Sequence, residues 1–103
     1  MAGPFNQTIF NQSGNTRGTW FPIHNVNVPF SLTVEGISGD TIQIRVSNRT
    51  WDDPPTTDEQ QYGADITVNG KVEITAPFGW IAIKKTVGAS TVVVKTGGQY
   101  MLG

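Results

Sequence analysis

Cysteine is absent from this chain of 103 residues, so no disulfide can supplement its core. Small secreted domains often rely on such bridges, and their absence favours assembly in a reducing cytoplasm. An excess of either charge is missing too. Seven basic and eight acidic residues leave a net charge of −1, which argues against a general binder of nucleic-acid backbone, since that needs clustered Lys and Arg. No apolar run approaches the roughly 20 residues of a membrane helix. The opening Met1–Gln7 has neither the basic start nor the apolar stretch of a signal peptide. No segment carries a 3.6-residue apolar stripe, and no repeat or linker divides the chain.

Reactive side chains are equally scarce. His24 is the one histidine, and a zinc site would need it together with carboxylates that show no metal-ligand spacing. Nothing resembles the nucleophile elbow of a Ser-His-acid triad. Asp52, Asp53, Asp58 and Glu59 share one segment but lack the order of a calcium loop. Side-by-side carboxylates also do not supply the opposed pair of a glycosidase. The expectation is a protein that is not an enzyme, with no catalytic residue, metal or cofactor.

What the chain does have is a period of two. Phe30, Leu32 and Val34 alternate with Ser31, Thr33 and Glu35, and Ile42, Ile44 and Val46 alternate with Gln43, Arg45 and Ser47. Each apolar set falls on one face of a sheet, and turn residues punctuate the chain at short intervals. Strands are predicted at 19–24, 28–35, 41–47, 62–68, 71–76, 79–86 and 91–96. Pro22 suggests an edge or a bulge, and Asn69-Gly70 predicts a type I′ hairpin between its flanking strands. The fold class is all-β: a single sandwich or jelly-roll-like barrel of about seven or eight short antiparallel strands. Jelly-roll and immunoglobulin-like strand orders are not distinguishable at this level.

Residues 1–18 are polar apart from Phe5, Ile9 and Phe10. They read as an N-terminal arm ahead of a sandwich domain over 19–103, either lying on a neighbour or forming an edge strand. Phe5, Ile9 and Phe10 are therefore candidate partner-binding residues. The segment 48–60 is the longest without periodicity; Pro54-Pro55 bars pairing and acidic residues keep it in water. Trp51 within it suits an interface anchor, with Asp52, Asp53 and Tyr62 beside it as candidate contacts. Trp80 reads as a sheet or core residue.

The run Phe30 to Asn48, FSLTVEGISGDTIQIRVSN, and the run Ala76 to Lys95, APFGWIAIKKTVGASTVVVK, together resemble small β-sandwich virion proteins of tailed bacteriophages. The resemblance covers roughly residues 28–96, through motifs that mostly encode strands and turns. It implies a structural role, with capsid decoration (cement) protein as the leading case. The partner would be the major capsid protein of a tailed phage. The chain would act as a homo-oligomer, a trimer by family habit, on the head surface of the virion after assembly in the host cytoplasm. No nucleic acid or membrane partner is implied. The alternative is a tail or spike component, including a glycan-binding module that uses exposed Trp or Tyr. Internal connector and small hydrolase are more distant rivals.

Overall fold

The computed structural model describes residues 4–56 and 59–101; Asp58 of the acidic segment and Leu102 of the tail lie outside that range. Nine antiparallel strands are present among the described residues: β1 (Pro4–Phe5), β2 (Thr8–Gln12), β3 (Phe21–Pro22), β4 (Phe30–Glu35), β5 (Thr41–Ser47), β6 (Gln60–Ile66), β7 (Gly70–Ile74), β8 (Trp80–Val87) and β9 (Val92–Gln99). They form two sheets. One runs β1-β9-β4-β7, with β2 pairing further along β9; the other runs β3-β8-β5-β6.

The alternation built this arrangement. Phe30, Leu32, Val34, Ile42, Ile44 and Val46 are all buried, and they join Ile81, Ile83, Val92 and Val94 in one continuous core. Burial of each such side chain contributes about 1.5–3 kcal/mol before the cost of ordering it. Pro22 lies on β3, at the edge of its sheet, where a missing N–H leaves no ladder position unfilled.

Two expectations change here. The Asn69-Gly70 pair is not a hairpin turn: β6 pairs with β5 and β7 with β4, in different sheets. A type I′ turn needs positive φ at both central residues, yet Asn69 is not in that region and Gly70 has φ +152°. The Asn69 Oδ1 instead accepts the Ile37 N–H at 2.8 Å, tying this crossover to the β4–β5 loop.

The N-terminal segment is the second correction. Phe5, Ile9 and Phe10 are 1 %, 3 % and 2 % exposed within the core of their own chain, so they are not available to a neighbour. Among the described residues of that segment, Pro4–Phe5 and Thr8–Gln12 are edge strands. β1 and β2 run along the same edge of β9, and Thr96 joins them: its hydroxyl donates to the Phe5 carbonyl and accepts the Gln7 N–H at 2.8 Å.

The sandwich has two ends, and one of them is closed by charge. Lys85 follows Ile81 and Ile83 at the inward-facing parity of β8, and its side chain is fully buried. Its Nζ donates to the carbonyls of Ser13 (2.8 Å) and Gly88 (2.7 Å) and to Asn15 Oδ1 (3.1 Å), and lies 3.1 Å from Asp40 Oδ2. Asp40 in turn accepts the N–H groups of Ser38 and Ser90. The Ser38 bond above all, with Lys85 and Ser90 assisting against the opposing effect of burial, brings the Asp40 carboxyl down from 3.8 to about 2. Gly88 has φ +103°, and a Cβ there would collide with the Asp40 carboxylate. One ammonium thus ties three loops together, with every polar group of the pair engaged.

Candidate functional site

The other end of the sandwich follows from Ser47, where β5 stops. Residues 48–56 cannot continue the ladder past Pro54-Pro55, so their polar side chains bond locally and fold the loop on itself. The Asp53 N–H donates to the Thr50 carbonyl (3.1 Å), the Thr50 hydroxyl to the Asp52 carboxylate (2.8 Å), and Arg49 pairs with Asp53 at 2.9 Å. Two residues from elsewhere fix the loop from beneath. The Trp80 indole N–H donates to the Thr50 carbonyl at 2.9 Å, and His24 Nε2 meets the Arg49 carbonyl at 3.0 Å. A carbonyl only accepts, so Nε2 carries the proton and Nδ1 remains, a buried nitrogen without a partner among the described residues. Gly79 makes this approach possible, because a Cβ on it would strike the Arg49 carbonyl and the His24 ring.

The loop anchored in this way presents Trp51 to water. Its side chain is 73 % exposed, although covering an indole would be worth a few kcal/mol at about 25 cal/mol per Å2. Beside it lies a cleft of about 340 Å3, walled by Phe21, Pro22 and Tyr100 with His24, Asn25 and Gln7 completing the lining. Four separate connections converge here. Gln7 comes from the β1–β2 junction, Phe21 and Pro22 from the edge strand β3, and His24 and Asn25 from the turn that follows it. Tyr100 comes from the end of β9, held edge-on by buried Phe5 with ring centroids 5.3 Å apart. The Met101 N–H donates to the Asn25 carbonyl at 2.7 Å and secures that corner.

Aromatic and amide side chains make up most of the lining, with the imidazole of His24 among them. It holds no carboxylate, lysine or arginine and no hydroxyl nucleophile other than the phenol of Tyr100. Among the described residues no three His, Cys, Asp or Glu side chains gather in a way that could hold a metal.

The residues expected from sequence are distributed unevenly. Trp51 stands at the rim of the cleft. Asp52 and Asp53 are exposed on the same loop, bonded to Thr50 and Arg49. Tyr62 is elsewhere: on the edge strand β6, its hydroxyl receives the Thr75 N–H at 3.1 Å and its ring packs edge-on against Phe78 at 5.6 Å. It stitches the open flank between the two sheets. Phe5, Ile9 and Phe10 belong to the core, with Phe5 supporting the cleft only through Tyr100.

Sequence reasoning missed Gln7, Phe21, Asn25 and Tyr100 as members of one site. Their one legible signal was an aromatic placed next to a proline or a chain end, where a core strand would not end. Trp80 is 7 % exposed as expected, and Trp20 lies partly covered under the Arg17 guanidinium, 4.9 Å from it. Compared with known protein families, with curated proteins and with solved structures, the chain matches none.

Proposed function

We propose that this chain is a non-enzymatic structural protein of a tailed-phage virion, of the capsid-decoration type, which docks on the outer head through its Trp51 end. The observation that carries the reading is the strand order. Treating β1 and β2 as one interrupted edge strand, the sheets β2-β9-β4-β7 and β3-β8-β5-β6 follow the order of an eight-stranded jelly roll, an architecture common to viral capsid and lectin domains. The N-terminal segment is committed to the fold, which leaves the rigid loop at 49–53 as the contact surface. Trp51 serves as the apolar anchor, and Asp52 and Asp53 as a polar rim. Assembly as a symmetric oligomer, a trimer being the family habit, would multiply weak contacts into firm attachment to the major capsid protein.

The test is sedimentation of the purified protein with empty, expanded heads of the phage that encodes it. Wild-type protein should pellet with heads, and Trp51→Ala should not. A wild-type chain that stays in the supernatant would overturn head decoration. A second reading, a glycan-binding tail or spike module, is favoured by the uncharged aromatic lining of the cleft.

A further inference from the structure

We propose that the cleft at the Trp51 end is a binding site for a neutral pyranose, with the sugar ring lying on the indole of Trp51 and its hydroxyls bonded by the amides of Gln7 and Asn25. The inference rests on the glycan reading for its class of ligand, and it assigns the Trp51 indole to a sugar in place of the capsid surface.

The argument begins with the indole. Trp51 is not left in water by an untethered loop: the carbonyls of the two residues before it, Arg49 and Thr50, are held by His24 and Trp80, and the Asp53 N–H closes the turn onto Thr50. An apolar surface kept exposed by a rigid support forgoes burial within the fold, and is pre-organised for burial against something else. A pyranose supplies what the site lacks. One face of its ring is a patch of C–H groups, suited to an aromatic plane, and its rim is a set of hydroxyls that each donate and accept.

The walls fit the same ligand. Phe21, Pro22 and Tyr100 offer apolar contact without charge. Side-chain amides carry donors and an acceptor together, which matches hydroxyls that likewise donate and accept. Gln7 and Asn25 are exposed, and neither side-chain amide has a partner among the described residues. The charge around the cleft selects further: Asp52 on the adjoining loop disfavours acidic sugars, while Asp53 is paired with Arg49 at 2.9 Å, and among the described residues no lysine or arginine lines the cleft itself. At about 340 Å3 the cleft is near the lower end of small-molecule pockets, so it takes a mono- or disaccharide unit of a larger glycan.

The experiment is a titration of the 15N-labelled chain with methyl glucoside, methyl galactoside, methyl mannoside and N-acetylglucosamine, following the three tryptophan indole signals. An array of neutral and acidic glycans is read in parallel. The expected result is a saturable millimolar shift of the Trp51 signal with at least one neutral pyranoside, while the Trp20 signal stays in place. Trp51→Ala and Gln7→Ala should each weaken binding by about tenfold or more. Because Trp51 and Gln7 are exposed, both variants should remain folded, as their unchanged amide spectra would verify. Binding that survives Trp51→Ala overturns the site. Binding of acidic glycans alone overturns the neutral ligand and leaves the glycan reading standing. Silence in both the titration and the array overturns both.

Discussion

The two ends of this sandwich lie about 20 Å apart along β5, and they treat polar groups in opposite ways. At the Lys85 end each charge is buried and each finds its partners inside the chain: Asp40, Ser13, Asn15 and Gly88 surround one ammonium. At the Trp51 end the protein satisfies its backbone and then leaves an indole and two amides unpartnered. The first end is complete without any ligand. The second is the end at which we propose a ligand. That contrast, more than any motif, is the reason for placing the proposed contact surface at the Trp51 end.

The largest expected effect comes from breaking the closed end. Lys85→Ala leaves the buried Asp40 with its two N–H donors but no counter-charge and frees three acceptors, a loss of about 3–5 kcal/mol of the kind seen when one member of a buried pair is removed. Chemical denaturation would measure it. If the two ends are separable, the red-edge fluorescence of exposed Trp51 should be unchanged in whatever fraction stays folded.

Acid should act at the same end. The Asp40 carboxyl titrates near 2 in the fold against 3.8 ordinarily, so the unfolded chain takes up a proton first. Its contribution to stability is whole above about pH 4 and disappears as the pH falls toward 2. Thermal melts should therefore fall over that window in the wild type. In Asp40→Asn the slope should flatten, starting from a lower melting temperature. An Asp40→Asn profile as steep as the wild type would assign the acid sensitivity to other carboxylates.

The smallest effect sharpens the comparison from the other side. Trp51→Ala should change stability by no more than about 0.5 kcal/mol, as surface substitutions usually do, since the indole is 73 % exposed. A larger loss in denaturation would mean that Trp51 supports the fold, and would remove the reason for reading it as a contact.

Much of the architecture was legible from local pattern. The inward parity of β4 and β5 matched the buried sets Phe30, Leu32, Val34 and Ile42, Ile44, Val46, because side-chain direction in a strand alternates whatever the strand pairs with. The boundaries of β5, residues 41–47, agreed as well. Pairing was another matter. Asn69-Gly70 carries a strong local preference for a hairpin, but that preference is worth little against two strands with separate partners in separate sheets. The exposure of Trp51 was readable from its Pro-rich, acidic surroundings. The cleft was not, because Gln7, the segment from Phe21 to Asn25, and Tyr100 come from three distant places in the chain and each looks ordinary where it stands.

The sequence by itself determined that this is an all-β protein without disulfides, with its apolar residues on alternating faces and one long polar loop bearing a tryptophan. These follow from composition and from the period of two, which act over a few residues. Only the tertiary structure decided that Phe5, Ile9 and Phe10 fill the chain's own core, that Lys85 and Asp40 meet, and that Trp51 overlooks an aromatic cleft. Those outcomes depend on which strands lie side by side, and strand partners are chosen by the burial of the whole core, not by any segment of it.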